Sequence, residues 1–127
     1  MQLRAPLQHQ HAPQYGDDKK YFTIRFFHGG EFTWIQDGIK LYLFGKEEVY
    51  YNVDSQSFGV HVLNTIVENL GYSLPITYMY KESGKGLADG LRKLITAADV
   101  EDMIQELGVD KTVEIYFVPP GSENVDD

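Results

Sequence analysis

The hydrophobic and polar positions carry no rhythm at the start of the chain and a clear one afterwards. Residues 1–20, MQLRAPLQHQHAPQYGDDKK, are dominated by Gln, His and Pro and hold neither a period of two nor one of 3.6. They predict a disordered arm. Order is expected from Tyr21, because Tyr21–His28 is aromatic and β-branched, as a strand should be. Gly29-Gly30 supplies the positive φ angles of a tight turn, so Glu31–Ile35 is expected to return beside the first strand as a hairpin. Asp37-Gly38 marks a further turn into residues 39–44, and residues 49–53 are expected to pair with that run as a second hairpin.

After Asp54 the period changes. Asp54, Ser55 or Ser57 can cap a helix over residues 58–70, with Gly71 as its stop. Phe58, Val62, Ile66 and Leu70 recur every four residues, and Val60, Leu63 and Val67 widen the stripe. So broad a stripe predicts a helix laid heavily on a sheet, with Val62 and Ile66 in the core and His61 as a polar flank. Residues 74–80 read as a strand with Pro75 near its start, and residues 87–94 as a short apolar strand. Thr96-Ala97-Ala98-Asp99 has the spacing of a capping box, with Asp in place of Glu. Val100, Met103, Ile104 and Leu107 then mark one face of a second helix, ended by Gly108. Thr112–Val118 is the last strand before Pro119-Pro120, and residues 119–127 read as an acidic disordered tail. This order predicts one α+β domain over residues 21–118. The expected architecture is a ubiquitin-like β-grasp roll, with a ferredoxin-like sandwich as the alternative.

Composition narrows the function. The 127 residues are 43% hydrophobic and 24% charged, which suits a globular domain, and the formal net charge is −8. An acidic chain repels phosphate backbones, so direct nucleic-acid binding is not expected. Without cysteine there is no disulfide, thiolate metal site or cysteine nucleophile. No apolar run is long enough to span a membrane, and residues 1–14 lack the apolar stretch of a signal peptide.

Candidate chemistry is sparse. Ser83-Gly84-Lys85-Gly86 fails as a phosphate loop, since residue 79 is Met and residue 86 is Gly where the pattern needs Gly and Ser or Thr. No pair of histidines brackets a Glu at zinc-hydrolase spacing, and no serine sits in a nucleophile elbow. His9 and His11 make at best an adventitious metal site. No catalytic residue, metal or cofactor is therefore expected, and the chain does not read as an enzyme. The aromatic residues read as core and cross-strand packing; the competing reading is a small-ligand-binding or enzymatic domain using an aromatic-lined sheet. What does stand out is segregated charge. Lys19, Lys20, Arg25, Lys40 and Lys46 fall early, whereas Asp99, Glu101, Asp102, Glu106 and Asp110 cluster at the second helix. An ordinary solvated helix face explains the acids; an interaction surface with a basic and an acidic end explains both sets.

Three stretches carry a family resemblance. They are Phe22-Thr23-Ile24-Arg25-Phe26-Phe27-His28-Gly29-Gly30-Glu31-Phe32, then Leu70-Gly71-Tyr72, then Gly86-Leu87-Ala88-Asp89-Gly90-Leu91-Arg92-Lys93-Leu94 running on to Asp99-Val100. Over about residues 20–118 the chain resembles the PB-one-like (Phox-and-Bem type) domain of plant Mutator-like transposases and of small stand-alone plant proteins. The resemblance implies a β-grasp fold, a nuclear or cytoplasmic place, and a protein partner: another copy, or another domain of the type. Such domains pair head to tail, a basic residue of the first strand meeting an acidic cluster. The resemblance thus implies Arg25 on the basic side and Glu82, Asp89 and Asp99 on the acidic side, to which the segregated charge adds Lys20 and Lys40 on the first and Asp102 on the second. Lys85, Ala97 and Ala98 stand where that pattern has acids, so the acidic half is degenerate. Strand alternation turns Arg25 away from Ile24 and Phe26, outward beside Lys20 or Lys40.

Overall fold

The computed structural model describes residues 2–3, 20–35 and 38–118. In chain order the elements are β1 (Gln2–Leu3), β2 (Tyr21–His28), β3 (Glu31–Ile35), β4 (Ile39–Leu43), β5 (Lys46–Asp54) and α1 (Val60–Asn69). There follow β6 (Thr77–Lys81), α2 (Leu87–Gly90), β7 (Leu91–Lys93), α3 (Ala97–Gln105) and β8 (Thr112–Val118). Six strands form one sheet in the order β1-β5-β2-β8-β6-β7, and β3 and β4 form a separate two-stranded sheet. At the centre β2 and β8 run parallel, and their neighbours β5 and β6 are antiparallel to them. A long hairpin, a helix, and a last strand returning parallel beside the first give the β-grasp order of ubiquitin. A parallel central pair does not suit the ferredoxin-like sandwich.

The two hairpins are nested rather than consecutive, which corrects the pairing expected from the turns. β2 pairs with β5, from Tyr21 opposite Asp54 to His28 opposite Lys46, and β3 pairs with β4 inside that hairpin. The reason lies in length and burial. β2 has eight residues and finds its match in the nine of β5, whereas β3 and β4 match each other at five apiece. Between Phe22 and Ile24 the register slips, so that Phe22 faces Val53 while Ile24 faces Tyr50. Asn52, at φ 57°, absorbs the extra residue. This bulge puts both Tyr50 and Val53 on the side of the core.

Alternation sorts the sheet into two faces. Phe22, Ile24 and Phe26 of β2, Val113, Ile115 and Phe117 of β8, and Tyr78 and Tyr80 of β6 face the helices. They bury Leu63, Ile66 and Val67 of α1 and Val100 and Met103 of α3 in one cluster. Ile66 is core, as its period predicts; Val62 is only half-buried. The capping box also forms, Thr96 Oγ1 accepting from the Asp99 N–H while Asp99 accepts from the Thr96 N–H. Residues 87–94 are not one strand: a helical turn, α2, precedes β7. Gln2 and Leu3 pair with Tyr51 and Tyr50 at the β5 edge, a pairing the arm's composition does not suggest. Residues 1 and 4–19 of that arm and the tail from residue 119 lie outside the described residues.

Candidate functional site

The side of the sheet away from α1 carries an alternating row of charge. Arg25 of β2 stands directly opposite Glu114 of β8, which stands opposite Lys81 of β6. Its Nε donates to Glu47 Oε2 at 2.5 Å, and one terminal nitrogen lies 3.7 Å from Glu114. Lys81 Nζ lies 3.8 Å from the same Glu114 oxygen. Two acids and two bases thus neutralise one another across four strands. The Glu47 hydrogen bond, outweighing partial burial, lifts the Arg25 guanidinium above its ordinary pKa. Arg25 does point outward, 42% exposed at its side chain, but its charge is answered within the chain.

The other basic candidates are placed differently. Lys20 is exposed at the start of β2, with its ammonium 5.4 Å from the ring centre of Tyr21. Lys40 is a correction, because only 8% of it reaches solvent. It sits opposite Trp34 on the hairpin face that turns inward, its ammonium over the rings of Phe32 and Trp34. That face packs through Phe32 and Tyr42 onto Phe27 and Tyr116 of the main sheet. The inserted hairpin therefore covers part of the surface on which Arg25 lies.

The four acidic candidates have separate tasks. Glu82 holds Lys85 and Arg92, each at 2.7 Å, and the Lys85 hydrogen bond keeps its pKa below the usual value. Arg92 also reaches Glu106 at 3.7 Å. Asp89 accepts from the Gly86 N–H at the start of α2. Asp99 accepts from the N–H groups of Thr96 and Ile95, and these bonds depress its pKa. Asp102, together with Glu101, is exposed on α3 and makes no ion pair among the described residues. Of the four candidates the one left open, Asp102, therefore lies on α3, at the helix side of the domain.

The two long helices carry no lysine or arginine, and neither do the stretches 47–80 and 94–110 that include them. His28, which the sequence reading did not single out, is buried on the core side between Tyr72 Oη at 2.9 Å and Glu48 at 3.0 Å. The signal lay in its neighbours: alternation from Phe22, Ile24 and Phe26 puts residue 28 on the core face. The Leu70-Gly71-Tyr72 motif is explained by the same contact. Gly71, at φ 97°, ends α1, and the next residue plugs its ring against Phe117 at 4.5 Å and its hydroxyl against His28. In the second motif Gly90 is buried, and a Cβ there would stand 2.8 Å from that of Lys85, while Leu94 is 1% exposed in the core.

Among the described residues no group of His, Asp and Glu is arranged to hold a metal ion. No described helix is long and apolar enough to cross a membrane. The family model described as "PB1-like domain" matches residues 18–122. No curated protein and no solved structure is similar enough to match.

Proposed function

The chain belongs to the PB1-like domain family, and we propose on that footing that it is a one-sided, non-enzymatic protein-interaction module. In this reading the acidic helix side receives a partner with a basic surface, and the sheet side does not complete a head-to-tail chain of copies. One observation carries it: Glu101 and Asp102 stand open on α3, whereas Arg25 is paired with Glu47 and Glu114. Charge complementarity of this kind sets partner choice and encounter rate more than affinity, so apolar contacts must supply much of the binding. A transposase-related origin in a plant, and a nuclear or cytoplasmic place, belong to the same proposal. Phe22 to Phe32, Leu70-Gly71-Tyr72 and the Gly86 to Leu94 stretch support it.

The test is affinity capture from plant extract by the wild-type chain, by Arg25→Glu and by the double variant Glu101→Lys, Asp102→Lys. Captured proteins should persist with Arg25→Glu and drop out with the double variant. The opposite pattern would return the binding surface to the sheet side.

A further inference from the structure

The helix side holds more than charge. Between the start of α1 and the length of α3 runs a groove of about 610 Å³. Phe58 and Val100, 7% and 6% exposed, form its floor. Val60 and Ile104 continue the apolar wall, and Ile95, 56% exposed, stands at the rim. On α3 the lining residues Ala97, Val100, Glu101 and Ile104 fall at i, i+3, i+4 and i+7, one face of the helix. The small Ala97 side chain leaves the groove open at one end, and Glu101 sets a carboxylate at its lip.

We propose that this groove is the docking site for an extended peptide segment that carries an apolar side chain close to a lysine or arginine; the proposal rests on the interaction reading above and names its site and ligand. Three features of the groove fit the three parts of such a segment. The apolar floor and the uncovered Ile95 accept the apolar side chain, and the volume lies in the range of ligand clefts, about 300–1,000 Å³. Glu101, exposed and without an ion pair among the described residues, accepts the cation. The peptide backbone meets the start of α1. There the N-cap is Gly59, which has no side chain to accept a hydrogen bond, and no acid occupies the first turn. The Val62 N–H bonds to the Gly59 carbonyl, which leaves the N–H groups of Val60 and His61 needing an acceptor from outside the helix, and peptide carbonyls can serve. An apolar anion such as a fatty acid would fill the floor but bring its carboxylate against Glu101. A nucleic acid would meet the same repulsion from Glu101 and Asp102.

The proposal is tested with the full chain and a phage-displayed library of short random peptides, followed by fluorescence anisotropy of an enriched peptide. Enriched sequences should pair an apolar residue with a nearby Lys or Arg. Ile95→Ser and Ala97→Phe, both at exposed positions and each checked for an unchanged melting temperature, should each weaken binding about tenfold or more, the first by removing apolar contact and the second by filling the groove. Glu101→Lys should weaken it as much, and Arg25→Glu should leave it unchanged. Loss with Glu101→Lys but indifference to Ile95→Ser and Ala97→Phe would overturn the groove and leave the acidic helix side standing. Loss with Arg25→Glu alone would overturn both readings. Enrichment of apolar peptides without a cation, or of none, would overturn the groove's assigned ligand.

Discussion

Phe27 and Tyr116 lie ring on ring across the parallel strand pair, centroids 4.8 Å apart and planes inclined by 13°. They face away from α1, on the side of the sheet that a two-layer roll leaves open. Tyr42 and Phe32 of the inserted hairpin close over them, at 5.2 and 5.4 Å from the Tyr116 ring. The hairpin is thus a third layer held by aromatic contacts. It also brings Lys40 inward to the rings of Phe32 and Trp34.

Tyr42 is therefore expected to fasten the hairpin. Its ring meets Phe27, Phe32 and Tyr116, and its hydroxyl accepts a hydrogen bond from the Gly30 N–H at 2.8 Å. Tyr42→Ala should cost about 1–3 kcal/mol, since each aromatic pair is worth about 0.5–1.5 kcal/mol and the side chain is half-buried. Tyr42→Phe should cost about 0.5–1.5 kcal/mol through the lost hydrogen bond alone. Urea denaturation measures both. Equal stability of Tyr42→Ala and wild type would mean that the hairpin does not rest on the sheet.

Ile66 tests the opposite face. It is 3% exposed and sits in the cluster with Leu63, Val67 and the inner residues of the sheet. Ile66→Ala should cost about 2–5 kcal/mol, transfer and cavity together. Val62→Ala, at a half-buried position on the same helix, should cost clearly less. A reversed order would mean that α1 is rotated about its axis.

Local signals were legible in the sequence and long-range partners were not. Tyr21–His28 and Thr112–Val118 are bounded as their composition predicts, because β-branched and aromatic runs ended by glycine or proline leave little choice. The Thr96–Asp99 box was legible for the same reason, since a cap acts within four residues. The nested hairpin was not. Gly29-Gly30, Asp37-Gly38 and Gly45 all signal turns, and turn chemistry does not say which strands then meet. Matching strand length would have favoured Tyr21–His28 with Lys46–Asp54, but the bulge at Asn52 interrupts the alternation that marks such a partner. At the candidate site, residue type showed where charge lies along the chain. Whether Arg25 and Glu82 are answered internally depends on cross-strand neighbours, and those follow from register.

Asp99 makes the acid limb of stability partly local. Its carboxylate accepts from the Thr96 and Ile95 N–H groups, so its pKa in the folded chain lies below the ordinary 3.8. A depressed folded value means that its contribution is full above 3.8 and is lost as pH falls through the lower folded value. Asp99→Ala should remove that part of the pH dependence below about pH 4 and lower the melting temperature at pH 7. Thr96→Ala, which removes the reciprocal acceptor, should cost about 0.5–2 kcal/mol at neutral pH. Thermal melts from pH 2 to 7 compare them. An acid limb of unchanged shape in Asp99→Ala would show that the box carries none of it.

The charge row on the sheet gives the last expectation. Arg25 is bonded to Glu47 and lies near Glu114, which Lys81 also approaches. Arg25→Gln removes one positive charge and leaves Glu47 without its donor. Because the Arg25 side chain is 42% exposed, water and salt screen the loss, and the cost should be about 0–1 kcal/mol. Arg25→Glu is harsher. It sets a third carboxylate between Glu47 and Glu114, so it should destabilise more than Arg25→Gln, and added salt should recover part of the difference. Neither change should alter the molar mass read by light scattering at low or high salt, since in this reading the row pairs within one chain. A mass that falls with Arg25→Gln, or with salt in the wild type, would mean that Arg25 reaches a second copy. The sheet side would then be the site of head-to-tail association.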